Sequence, residues 1–388
     1  MGVILALART PLFGWADTPP TTVPARVTTI DGLRGFLALG VVFHHGAIYH
    51  QYLQTGTWRL PPTRFYANLG QVGVALFFMI TGFLFWTKML EAKGRPNFPK
   101  LYVGRIFRII PLYLFLVAIV LLAVGVSTGW RLNEPAIVLV KQTAKWLAGG
   151  AFIGGDVNVY AGTGLISAYV TWSLHYEWLF YASLMVTAFC ARNTTLGALA
   201  PLAGLLFAAP LLHFHPNNMS LACALLFSCG MTAASAKRAF AERRLDIPQW
   251  CLSSGAIISL ILVLGLFDGV YSTLPILLLG FSFMAIAFDA TIFGLLSTRP
   301  AKRLGDISYG VYLLQGPVLF LAFERSPVRS MAMQLAWLHW TILLIAALAL
   351  ILLATVAHVL IERPGVQAGQ WLLARWSLMR RPSAISAS

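Results

Sequence analysis

The chain has 388 residues, of which 58% are hydrophobic and only 11% charged, with a mean hydropathy of +0.76. Soluble domains carry about 25% charged residues, so this composition excludes an ordinary water-soluble globule and indicates a polytopic membrane protein. The net charge of +15 would suggest nucleic acid in a soluble chain. Here the bases sit between apolar runs without any nucleic-acid motif, and topology together with anionic membrane lipid accounts for them.

Residues 1–29 lack a basic n-region, and their apolar run is interrupted at Arg9 and Pro11. They read as a short cytoplasmic tail rather than a cleaved signal peptide. The next stretch, IDGLRGFLALGVVFHHG at 30–46, opens with Asp31 and Arg34 and closes with His44 and His45. Arg34 and His45 are about three helical turns apart, so they share a face at a separation of roughly 16 Å. A charged and a titratable side chain are costly within lipid, which makes this stretch a functional-site candidate.

Ten stretches are long and apolar enough to span: 33–52, 69–90, 105–126, 169–190, 196–212, 219–236, 251–267, 272–293, 307–323 and 337–361. Residues 135–152 hold Lys141, Gln142 and Lys145 and read as an amphipathic or re-entrant piece. With the N-terminus inside, every Lys and Arg falls on the cytoplasmic side except Arg59, Arg64, Arg131, Lys141, Lys145, Arg325 and Arg329. The positive-inside rule then places both termini in the cytoplasm, as an even span count requires. The expected organisation is all-α: a tail at 1–29, one membrane domain at 30–364 and a basic cytoplasmic tail at 365–388. The outer loops at 51–68 and 127–168 carry Trp, Tyr, Gly and Asn among few charges, which suits either a neutral sugar or a cover over a cavity mouth.

His45 carries the strongest local case for chemistry, because an imidazole near neutrality can take a proton from a hydroxyl. The plainer alternative is a hydrogen-bonded interhelical histidine; His44, on another face, reads as structural. His44, His45 and His50 have poor spacing for a metal, and no metal is expected. Glu177, in TWSLHYEWLFY, lies about as deep below the outer surface as His45, roughly 10 Å. If their helices pack together, the carboxylate can orient the imidazole; otherwise it is a structural acid. Arg105 and Arg108 are spaced i, i+3 on one face. They begin the third span at the level of Arg34, where three guanidiniums suit phosphate recognition or, more plainly, snorkelling. Cys190, Cys223, Cys229 and Cys251 have no paired metal spacing and read as buried thiols.

Taken together these motifs resemble the acyltransferase-3 family of integral-membrane acyltransferases. They comprise DGLRG at 31–35 with Arg34 and His45 separated by ten intervening residues, GVALFFMITGFL at 73–84, and Arg105, Arg108, Pro111 and Tyr113 at the third span. Then follow WSLHYE at 172–177, SYGVYLL at 308–314 and IERP at 361–364. Thr81 stands where serine is usual, and Gln315 where many relatives carry histidine. The resemblance is to members without the C-terminal hydrolase-like domain. It implies transfer of an acyl group, most often acetyl from cytoplasmic acetyl-CoA, to a hydroxyl of a bacterial surface polysaccharide such as O-antigen or exopolysaccharide. The implied setting is the bacterial inner membrane. Arg34, Arg105 and Arg108 are then expected to bind the acyl-CoA, with His45 as base or acyl relay, Glu177 as its orienter and Arg34 part of the catalytic set. Competing readings are a proton-coupled transporter, since buried Arg, His and Glu also mark such carriers, and an acyltransferase acting on a small secreted molecule such as a macrolide or nodulation factor.

Overall fold

The computed structural model describes residues 2, 28–240, 247–324 and 328–379. Residues 3–27 of the expected N-terminal tail, and 380–388 with Arg380 and Arg381, lie outside these. Each of the ten apolar stretches overlaps a helix, although 169–190 and 272–293 run past the ends of theirs. In chain order the first five are α1 (Thr28–Thr55), α2 (Arg64–Glu91), α3 (Phe98–Ser127), α4 (Ala136–Leu147) and α5 (Thr163–Ile166). The next five are α6 (Trp172–Thr187), α7 (Thr194–Phe214), α8 (Met219–Ala239), α9 (Gln249–Leu266) and α10 (Thr273–Ala287). The last are α11 (Arg299–Asp306), α12 (Ser308–Phe323), α13 (Val328–Gln334), α14 (Ala336–Ala357) and α15 (Arg363–Met379).

Among the described residues six helices are long and apolar enough to cross a membrane, or seven if the pair α11 and α12, bent by 66° between them, is one broken span. Ten spans are not reached by length and composition, for identifiable reasons. The polar residues of α1 dilute its apolar run, while α6 and α10 have only 16 and 15 residues. At 1.5 Å per residue these two reach about 22–24 Å, short of a hydrocarbon core of about 30 Å. The segment expected to be amphipathic or re-entrant is α4, whose one buried side chain is Trp146, with Nε1 donating to the Gly155 carbonyl at 2.9 Å. The IERP stretch makes a π turn at His358–Glu362, where the Arg363 N–H reaches back to the His358 carbonyl. Pro364 has no N–H to continue an α ladder, and a wider turn accommodates that loss. The helix then continues to Met379, past residue 364.

The centre of the molecule is α1, packed against α2, α11 and α12, while α2 packs along α8. The DGLRG motif has a steric reason. A Cβ on Gly32 would lie 2.0 Å from the Leu296 carbonyl oxygen, and one on Gly35 would lie 2.6 Å from Leu304 Cβ. From the other side, a Cβ on Gly305 would lie 1.9 Å from the Asp31 carbonyl oxygen. These glycines let the start of α1 lie directly on the 295–305 segment, as small residues do where membrane helices approach closely. Gly32→Ala is therefore expected to destabilise. Relieving a mid-helix glycine gains about 1 kcal/mol, but backbone cannot rotate away from an added methyl, and overpacking of this kind costs about 1–3 kcal/mol. Thermal unfolding in detergent should show a lower midpoint than wild type.

Candidate active site

Two helices bring the three expected arginines to one place. Arg34 from α1 and Arg105 and Arg108 from α3 line a single cavity of about 120 Å³. Its other walls are stripes at helical spacing: Val74, Phe78, Thr81 and Phe85 from α2, Ser173 and Glu177 from α6, Ser308 and Tyr312 from α12.

Among the described residues no carboxylate closes an ion pair on any of the three guanidiniums. Arg105 lies over the Phe85 ring, 4.7 Å from its centroid, which anchors the cation without neutralising it. Three acids act on these bases at longer range: Asp31, most strongly on Arg34, and Glu177 and Glu362, which are both engaged elsewhere. Glu177 accepts from the Tyr181 hydroxyl one turn along α6. Glu362, buried in the π turn, is paired with His358 at 3.2 Å. Half-buried guanidiniums without a carboxylate partner make a site for an anion. The Ser308 hydroxyl, at the first residue of α12, is fully buried, lines the same cavity and has no partner among the described residues.

His45 lies elsewhere. It lines a second cavity, of about 190 Å³, with Val41, His44, Gln71, Trp172 and Tyr271. Val74 and Tyr312 line both cavities and form the partition between them. The Tyr312 hydroxyl is held by Ser173 Oγ at 2.9 Å and donates to the Val170 carbonyl at 3.1 Å. Around His45 the end of α1, Trp58 and Tyr169 supply an aromatic cluster. Trp58 stacks towards the imidazole at 6.1 Å between centroids and meets Tyr49, Tyr52 and Tyr169 at 5.0, 5.9 and 5.7 Å. Ala168 and Tyr169 adopt left-handed backbone at φ of 49° and 56°, strain that the fold sustains beside this site. Gly316 of α12 makes room for that turn, since a Cβ there would meet the Ser167 carbonyl carbon at 2.2 Å.

Arg34, Arg105, Arg108 and Glu177 are thus together, and His45 stands across the Tyr312 partition. Glu177 is not the partner of the imidazole. That partner is Gln315, whose Oε1 lies 3.1 Å from His45 Nδ1. His44 donates through Nδ1 to the Tyr66 carbonyl at 2.7 Å, and His175 likewise to Ala151. Among the described residues no three His, Cys, Asp or Glu side chains form a group able to hold a metal ion, and the four cysteines are unbonded.

A family model described as an acyltransferase domain matches residues 27–356. The chain belongs to the acyltransferase-3 family. No curated protein and no solved structure matches it. The matched region contains every residue lining the two cavities of this acyltransferase, and its apolar helices are those of a multi-pass membrane protein. Ser308, Tyr312 and Gln315 were not assigned a role from sequence, although a signal existed: their i, i+4, i+7 spacing puts one polar stripe on an otherwise apolar helix. Tyr181 carries the same signal, continuing Ser173 and Glu177 at i+4 and i+8.

Proposed function

We propose that this acyltransferase moves an acetyl group from cytoplasmic acetyl-CoA to a hydroxyl of a bacterial surface polysaccharide, such as O-antigen or exopolysaccharide. In this reading it sits in the inner membrane with about ten spans and both termini in the cytoplasm, so that the arginine cavity opens inward and His45 lies nearer the outer face. The observation that carries the reading is the convergence of three half-buried arginines, none closed by a carboxylate among the described residues, one of them near the start of the helix that bears His45.

Arg34, Arg105 and Arg108 bind acyl-CoA phosphate oxygens, with the Ser308 hydroxyl as a further donor. The acyl-bearing arm reaches past Val74 and Tyr312 towards the second cavity. There His45 removes the proton of the acceptor hydroxyl as its oxygen attacks the thioester carbonyl. The carbon–sulfur bond breaks, the thiolate leaves, and the proton held by His45 returns to sulfur to give the free thiol and the ester. Glu177 acts on the donor side, holding Tyr181 and tempering the arginines, rather than orienting His45. Trp58 and the tyrosines around it offer flat apolar faces to the sugar ring of the acceptor.

The test is transfer of label from acetyl-CoA to isolated surface glycan by the purified protein, read by mass and by acetyl NMR signals. Acetyl ester formation supports the reading. Movement of a solute across the membrane without covalent change would support a transporter instead, and acylation confined to small secreted molecules would reassign the acceptor.

A further inference from the structure

The Gln315 side chain is held at both ends. Its Nε2 donates to the Tyr312 carbonyl at 2.8 Å, one turn back on α12, and its Oε1 faces His45 Nδ1 at 3.1 Å. Amide orientation is assigned from such a network, and here the network has one solution. Turning the amide over would set its oxygen against the Tyr312 carbonyl oxygen at about the same short distance, two acceptors with no hydrogen between them. Gln315 is 0% exposed, so bulk water does not relieve that clash, and an unmet buried donor or acceptor costs about 1–3 kcal/mol.

The consequence falls on the histidine. An amide oxygen only accepts, so the nitrogen facing it carries the hydrogen; a neutral imidazole has one N–H, which leaves Nε2 with the lone pair. We infer that Gln315 is a positioning residue that fixes His45 in the Nδ1–H tautomer and presents Nε2 as the atom that takes the acceptor proton. The inference rests on His45 being the base. It also gives a physical reason for glutamine at this place: a neutral amide orients the ring and leaves no second charge in an apolar helix, where a carboxylate would be costly. The link between the cavities is short, because Tyr312 both forms the partition and supplies the carbonyl that orients Gln315.

The test is nitrogen NMR of the full-length protein labelled with ¹⁵N-histidine, the His45 signals being those lost in His45→Ala. Wild type is expected to show a protonated Nδ1 and an unprotonated Nε2. Gln315→Met, similar in length but without the amide, should lose that signature and lower kcat by about 10- to 100-fold with the KM for acetyl-CoA unchanged, the scale of a misplaced general base. Gln315→Glu, whose carboxyl oxygen still accepts from Nδ1, should keep the signature. A wild-type spectrum with the hydrogen on Nε2, or on both nitrogens, would overturn the inference without any reliance on the Gln315 variants. So would a Gln315→Met protein that keeps the wild-type signature. Undiminished transfer by His45→Ala would instead overturn the base assignment, a separate result from the tautomer measurement.

Discussion

His45→Ala is expected to lower acyl transfer by about 10²- to 10⁴-fold, the range a positioned general base contributes. The loss should fall on kcat, because the imidazole lines the second cavity while the three arginines line the first, across the Tyr312 partition. The KM for acetyl-CoA should stay within about threefold, since an interaction made only in the transition state leaves ground-state binding alone. The substitution is also structurally mild. His45 packs towards Trp58 and bonds Gln315, whereas the buried contact that ties this turn of α1 to α2 belongs to His44, through the Tyr66 carbonyl. Thermal unfolding of the purified variant separates lost chemistry from lost folding, and a variant that is folded and nearly as active as wild type would contradict the assignment.

The second large effect is expected on the donor side. Removing a hydrogen bond to a charged group costs about 1.5–3 kcal/mol, and each 1.4 kcal/mol is tenfold. Arg108→Ala should therefore raise the KM for acetyl-CoA by about 10- to 100-fold, with a smaller change in kcat. Arg108→Lys should recover only part of the loss, because lysine keeps the charge but not the planar fork that meets a phosphate with two bonds. Arg34 lines the same cavity from another helix, so Arg34→Ala combined with Arg108→Ala should depart from additivity, as residues sharing one partner do. Titration with acetyl-CoA at fixed ionic strength measures all four variants, Arg34→Ala alone included. A KM unchanged in Arg108→Ala would remove the anion site from the account.

How much of this was legible in the sequence depends on whether a relation lies within one helix or between two. The stripe from Arg34 to His45 follows from 3.6 residues per turn, and the pairing of Arg105 with Arg108 follows from i, i+3 spacing. Both relations are intrahelical, and the structure has them on the continuous helices α1 and α3. Glu177 is different. Counting residues gives its height along α6 but not the direction it faces or which helix stands opposite, and at that height it meets Tyr181 and the arginine cavity rather than His45. The partner of His45 comes from position 315, far along the chain, where a glutamine amid apolar residues was legible as a departure but not as a contact. Length and composition alone give fewer than ten spans for a related reason. Apolarity marks where a helix buries itself, yet α6 and α10 are short and packed among neighbours, and the bend between α11 and α12 divides one apolar run. The glycines of DGLRG were visible as a motif, while the backbone they admit, at Leu296 and Gly305, was not.

The central claim is that one polar path links a donor site on the inner side to a base nearer the outer side. Proteoliposomes of uniform orientation test it most directly, with labelled acetyl-CoA supplied only on the side of the arginine cavity and acceptor glycan only on the other. The account predicts labelled ester on the far side, abolished by either His45→Ala or Arg34→Ala. Label that appears only when donor and acceptor share one compartment would contradict it.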